Sequence, residues 1–320
     1  MNNERFSFST GALYTYKSED ALRLIRRAGF TRAELMPQAI SDVSEESTKL
    51  FEQTGIKLGS IHFPLVFFGV LYNSHPQMCE DCVAYSRKLL TMGQRLDCHV
   101  LVVHPHEKPS VQGYDELLER PVIDNLLRLA DLCGEMGYTM AMENSPKTCA
   151  TAEQLLDYVK FLNHPAIKPM CDVTEVKEAG GEPQEFLKSF TPCHLHMSDF
   201  GTRKHMPAGE GDFDWKAIKA VLEADRYQGL YTLEPGYRFY LDDTEAKLAK
   251  AYRFLEENFG DLDKKQKDLG SLRSRRRSGN AHGIHASGGY PEGARRAAGG
   301  ADPGPAVLQS RRSAHRQCHG

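Results

Sequence analysis

The sequence predicts an α/β fold closed as a (β/α)8 barrel, on three observations. Short apolar runs alternate strictly with longer amphipathic segments, the alternation repeats eight times before residue 260, and no G-x-G-x-x-G follows the first run. Strict βα alternation implies a parallel sheet. Eight units in a body near the usual size of about 250 residues favour a closed barrel over an open doubly wound sheet, and the missing glycine pattern removes support for dinucleotide binding.

The elements follow in order. "FSFST" (6–10) reads as the first strand, with a helix near 18–28 closing at Gly29. "TRAELM" (31–36) precedes a helix near 44–54 and Gly55; "KLGSIHF" (57–63) precedes a long helix near 76–96. "HVLVVH" (99–104) leads to a helix near 115–136 stopped by Gly137, and "YTMAMEN" (138–144) to a helix near 151–162. "IKPMCDV" (167–173), "PCHLHMS" (192–198) and "GLYTLEP" (229–235) precede helices near 183–189, 215–224 and 244–258. The tripeptides "AGF", "TGI" and "MGY" place a glycine where a helix hands over to the next strand. The barrel domain is therefore assigned to 1–260. Residues 261–320 are rich in Gly, Arg and Ser and poor in large apolar residues, and are expected to be a disordered basic tail. That tail reads as a nucleic-acid or anionic-surface binder, a solvated appendage, or an unselected extension.

Charge separates the two parts. Of 40 basic and 43 acidic residues, 12 and 3 fall from Lys264 onward, leaving 28 against 40, or −12, in the first 263. An acidic body is a poor match for a nucleic-acid backbone and suits a cation with a small polar substrate. No apolar run reaches 18 residues, no secretory signal is visible, and the eight scattered cysteines read as reduced thiols. A cytoplasmic protein is expected. Cys79 and Cys82 form a C-x-x-C, but within a helical stretch and without a second pair.

In a barrel of this kind the site lies at the C-terminal ends of the strands. Six strands finish in a metal ligand or an acid/base group: His62, His104, Glu143, Asp172, His196 and Glu234. Carboxylates crowded at a barrel mouth repel one another unless a cation compensates them. Glu143, Asp172, Glu234 and His196 supply a mixed O/N set that suits Mn²⁺, Mg²⁺, Co²⁺ or Zn²⁺, with the oxygen-rich composition leaning toward Mn²⁺. His194, two residues before His196 and on the same strand face, reads either as support for the ligands or as barrel core.

These motifs, "MEN" around Glu143, "CDV" around Asp172, "HLHMSD" around His196, "HMPAGEGDFDW" (205–215) and "LEPG" around Glu234, resemble the xylose isomerase-like TIM-barrel superfamily over about residues 6–258. The superfamily includes ketose 3-epimerases, hydroxypyruvate isomerase, inosose dehydratases and apurinic endonucleases. The resemblance implies that Glu143, Asp172, His196 and Glu234 bind one divalent cation. It also implies that Glu143 and Glu234 stand on opposite faces of a sugar, exchanging a proton beside its carbonyl through a metal-stabilised enediolate. Return of the proton to the opposite face is epimerisation; return to the neighbouring carbon is isomerisation. His62 and His104 are further candidates for touching substrate or shuttling a proton, or are structural. Members often form homo-oligomers.

Two positions depart from the family. The residue three after the strand-six Asp is Glu175 where His is common, and "RKH" puts Arg203 where the three-zinc endonucleases need Asp. Both departures weigh against DNA repair. Glu175 and Arg203 remain candidates for orienting substrate, and Arg203 is alternatively a plain loop cation. "PAGEGDFDW" reads as a substrate-covering loop with one polar contact, Glu210, and with Asp214 capping the next helix. A metal-dependent sugar isomerase or epimerase is the leading expectation. A lyase or dehydratase on the same site, an endonuclease-like hydrolase and a non-catalytic barrel are the alternatives.

Overall fold

The computed structural model describes residues 4–107 and 115–260. The expected basic tail (261–320) lies outside the described residues. Nine strand segments pair throughout in parallel: β1 (Phe6–Phe8), β2 (Arg32–Leu35), β3 (Lys57–His62), β4 (Val100–Val103), β5 (Thr139–Met142), β6 (Ile167–Pro169), β7 (Cys171–Asp172), β8 (Leu195–Met197) and β9 (Tyr231–Leu233). Their ladder orders are β2-β3-β4-β5-β6 and β1-β9-β8-β7. A parallel bridge between Ser9 and Glu34 joins β1 to β2.

The sixth pass was expected as one strand and forms two, because its two sides serve different partners. Met170 N–H donates to Met142 O of β5 at 3.0 Å, and Cys171 N–H donates to His194 O on the β8 side at 3.2 Å. Alternation turns the Pro169 nitrogen toward β8, and proline has no N–H to give there. Pro169 O still accepts from Cys193 N–H at 3.0 Å, and the residue pairing with β8 begins at Cys171.

Helices α1 (Ser18–Arg27), α2 (Glu45–Glu52), α4 (Pro76–Arg95), α5 (Asp115–Glu135), α6 (Ala152–Leu162), α8 (Pro183–Leu187), α9 (Trp215–Ala224) and α10 (244–260) match the predicted crossovers, while α3 (Phe68–Leu71) and α7 (Val173–Glu178) are additional. Gly29, Gly55 and Gly137 adopt φ of 112°, 67° and 74°, the left-handed turn that ends a helix at little cost only in glycine. Thr151 and Gln154 form a reciprocal capping box at the start of α6.

The strands are buried on both faces, as parallel strands covered by helices must be. An aromatic cluster seats α10 on the first strand: Tyr252 packs edge-on to Phe6 and Phe30, and Tyr240 to Phe8. With β1 paired to β9, the end of the barrel thus closes on its beginning. No described helix is long and apolar enough to cross a membrane, and none of the described cysteines is in a disulfide.

Candidate metal centre

At the C-terminal ends of β5, β7, β8 and β9 the chain brings Glu143, Asp172, His196 and Glu234 to one point, with a ligand atom from each within 4.8 Å of the others. His196 Nδ1 is 2.8 Å from Glu234 Oε2, 3.1 Å from Glu143 Oε1 and 3.9 Å from Asp172 Oδ2. Asp172 divides its work. Its Oδ1 accepts from the N–H groups of Thr174 and Glu175, capping α7, while Oδ2 is buried without a hydrogen-bond partner. Asn144 pins the same residue from both sides of its peptide, through Asp172 N and O, at 2.8 and 3.0 Å.

This donor set fits a divalent cation. Three buried or nearly buried carboxylates share one imidazole, and an orphaned carboxylate oxygen points into the cluster, a costly arrangement unless positive charge completes it. Burial, opposed by His205 and assisted by Glu143, pushes the Asp172 carboxyl up to about 8. Against the cost of burial, His104 and His196 hold Glu143 well below the usual carboxylate range.

A second group overlaps the first. His62, His104 and Glu143 also place ligand atoms within 4.8 Å of one another. Glu143 Oε2 lies 3.0 Å from His104 Nε2 and 3.5 Å from His62 Nε2. Burial works against the His62 cation, but hydrogen bonding to Glu143 and the field of Glu234 prevail and raise it to about 9.

Glu175 stands on the wall of the same pocket and is occupied by a partner, His205, whose Nε2 is 2.9 Å from its Oε1. His205 in turn reaches Ser198 Oγ through Nδ1 at 3.1 Å and is held at φ 52°, a left-handed conformation uncommon outside glycine. The structure does not bring Arg203 or Glu210 to the cluster. Arg203 is exposed, and Glu210 is ion-paired with Lys250 at 2.5 Å on the outer side of the loop. The cause is Asp199. Its carboxylate accepts from the amides of Phe200, Gly209 and Phe213 and from Trp215 Nε1, at 2.8–3.1 Å, and winds the loop around itself. A Cβ at Gly211 would fall 2.5 Å from Asp199 Oδ1, so that glycine is required by the close approach. Asp214 does cap α9, accepting from Lys216 and Ala217.

Sequence reading missed Glu34 and Asp199, and noted His205 only as the first residue of the 205–215 motif. Glu34 is fully buried beneath the centre; its Oε2 is 2.9 Å from His196 Nε2, 3.2 Å from His194 Nε2 and 2.8 Å from Ser60 Oγ. The available signal was an acid near the end of "TRAELM", between apolar neighbours. The pocket above the centre measures about 280 Å³; Met36, Leu65, Pro235 and Tyr237 form its apolar wall and His62, His104, Glu143, Glu175, His205 and Glu234 its polar one.

A closed parallel barrel with a carboxylate–histidine cluster at its strand ends belongs to a defined class. Residues 22–258 match the xylose isomerase-like TIM-barrel family, and the chain is a member of it. Among solved structures it is similar to a D-tagatose 3-epimerase-like protein (19% identity, TM-score 0.66, covering 82% of this chain and 99% of that one). It is similar also to an L-ribulose 3-epimerase (16%, 0.64, 83% and 98%) and to the IOLI protein with a bound zinc atom (16%, 0.60, 80% and 99%). At these identities the likeness is one of fold. No curated protein matches the sequence.

Proposed function

We propose that the chain is a divalent-metal-dependent isomerase or epimerase of a sugar, moving a proton on the carbon beside a carbonyl. The observation that carries the reading is the convergence of Glu143, Asp172, His196 and Glu234 under a pocket large enough for a small sugar. These four residues would hold the cation, with Mn²⁺ preferred for its oxygen-rich set and Mg²⁺, Co²⁺ and Zn²⁺ compatible. When bound, it would supply Lewis acidity to a carbonyl oxygen. Glu234, 13% exposed in its side chain, and the buried Glu143 both face the pocket, and they are the groups proposed to take and return the proton. His62 and His104 flank Glu143 and hold its charge. Glu175 is available to substrate as one half of a pair with His205. The solved structures it resembles include a D-tagatose 3-epimerase-like protein and an L-ribulose 3-epimerase, which agrees with this chemistry.

The sugar is expected to be unphosphorylated. Barrels often bind phosphate with amides of the loops after the last two strands. Here the Asp199 carboxylate already occupies the amides after β8, and Gly236 N–H, after β9, donates to His205 O at 2.8 Å. No described Lys or Arg lines the pocket. Free thiols throughout the described residues suit a reducing compartment such as the cytoplasm.

The His62–His104–Glu143 group favours a second reading, an endonuclease-like hydrolase with more than one metal. Two experiments separate the readings. Elemental analysis is expected to find one Mn²⁺-class ion per chain; two or three zinc ions would favour the hydrolase. Ketoses incubated in D₂O with Mn²⁺ are expected to exchange the hydrogen beside the carbonyl, and the corresponding ketose phosphates to exchange far more slowly. No exchange with any ketose would end the isomerase reading.

A further inference from the structure

We infer that Glu34 is a positioning residue for the metal centre: it accepts a hydrogen bond from His196 Nε2–H and so directs the bare Nδ1 of that ring at the cation. The inference rests on the four-residue centre proposed above and concerns a residue outside it.

An imidazole can offer only one nitrogen to a metal, and the hydrogen bond at the other nitrogen decides which. The two faces of His196 are unambiguous. Nδ1 looks into the cluster of Glu143, Asp172 and Glu234; Nε2 looks away from it, at Glu34 Oε2, 2.9 Å distant. Glu34 is an acceptor there. The same Oε2 takes the hydroxyl of Ser60 at 2.8 Å and faces His194 Nε2 at 3.2 Å, so one hydroxyl and two ring nitrogens converge on one oxygen while Oε1 is buried without a partner. A carboxylate oxygen that already takes a hydroxyl serves as the acceptor toward the two rings beside it.

The placement is built into the barrel. Glu34 sits on β2, is bridged to Ser9 at the seam with β1, and receives Ser60 from β3, His196 from β8 and His194 from just before β8, across the barrel interior. It is 0% exposed, as are His196 and Ser60, so neither water nor substrate can stand in for it. A carboxylate held at this point costs desolvation that a purely structural position would avoid with an apolar side chain. The two imidazoles that "HLHMSD" sets on one face then divide their roles: His196 serves the cation, and His194 stands beside it on the carboxylate that orients the first.

The test uses the full-length chain stripped with a chelator and titrated with Mn²⁺ by calorimetry. Glu34→Gln keeps the shape of the side chain and removes its charge; Mn²⁺ affinity is expected to fall about 10–100-fold. Ser60→Ala, which removes a different donor from the same oxygen, is expected to bind Mn²⁺ within about threefold of wild type. An unchanged affinity in Glu34→Gln, or an equal loss in Ser60→Ala, overturns the assignment. Should Glu34→Gln fail to fold, ¹⁵N-histidine spectra of the Zn²⁺-loaded wild-type chain decide. A proton on His196 Nε2 and metal on Nδ1 support it, and the reverse sinks it. A wild-type chain that binds neither ion defeats the centre itself, whereas binding indifferent to Glu34 defeats only this inference.

Discussion

Glu143 and Glu234 approach the same imidazole nitrogen from two strands, yet their surroundings differ: Glu143 is enclosed among three histidines, and Glu234 is the most exposed of the three clustered carboxylates. Exchange of either for Gln keeps its volume and removes the base. Isotope exchange into a ketose is expected to drop by about 10²–10⁴-fold in each variant, measured by NMR in D₂O at saturating Mn²⁺. By contrast Arg203→Ala and Glu210→Ala are expected to leave the exchange rate within about threefold, because neither side chain lines the pocket; a larger loss in either would show that the loop rearranges on binding. At this scale six strand-end groups were legible because apolar runs ending in an acid or imidazole are conspicuous. Glu34 was not, since a single acid in a short strand looks the same whether it faces solvent or the barrel interior.

Individual elements show the same limit. The loop between β8 and α9 was legible as a loop from its Pro and Gly, but its internal anchor was not, because the donors that Asp199 collects are backbone amides up to 14 residues away. Asp199→Ala would leave three amides and the Trp215 indole without their acceptor. It is expected to lower unfolding free energy by more than about 3 kcal/mol in urea titrations, whereas Thr151→Ala, which removes one exposed helix cap, should cost about 0.5–2 kcal/mol. Comparable losses in the two variants would mean the loop is not organised by Asp199. Helix α7 escaped prediction for a related reason: it is six residues long and begins on the side chain of a residue that also faces the metal centre.

For the whole molecule the prediction concerns pH. In the metal-free chain Asp172 is raised to about 8 and His62 and His205 to about 9, each above its unfolded value. The folded state therefore holds more protons than the unfolded state between about pH 6.5 and 9, and stability falls as pH rises through that window. A divalent cation bound at the proposed centre would displace those protons. Melting temperature in chelator should decline from pH 6.5 to 9, and saturating Mn²⁺ should raise it most at the alkaline end; parallel curves with and without metal would contradict this.

The eightfold βα rhythm is legible in the chain alone, and with it the strand ends that carry the candidate ligands and acid/base groups, because periodicity and handover glycines are local properties of the chain. Closure of the barrel sets the rest: the sixth strand breaks at Met170, the Asp199 loop turns Arg203 and Glu210 outward, and Glu34 lies behind His196. Each of these depends on which residues, distant in sequence, meet across a closed barrel, and closure is a property of all its strands at once.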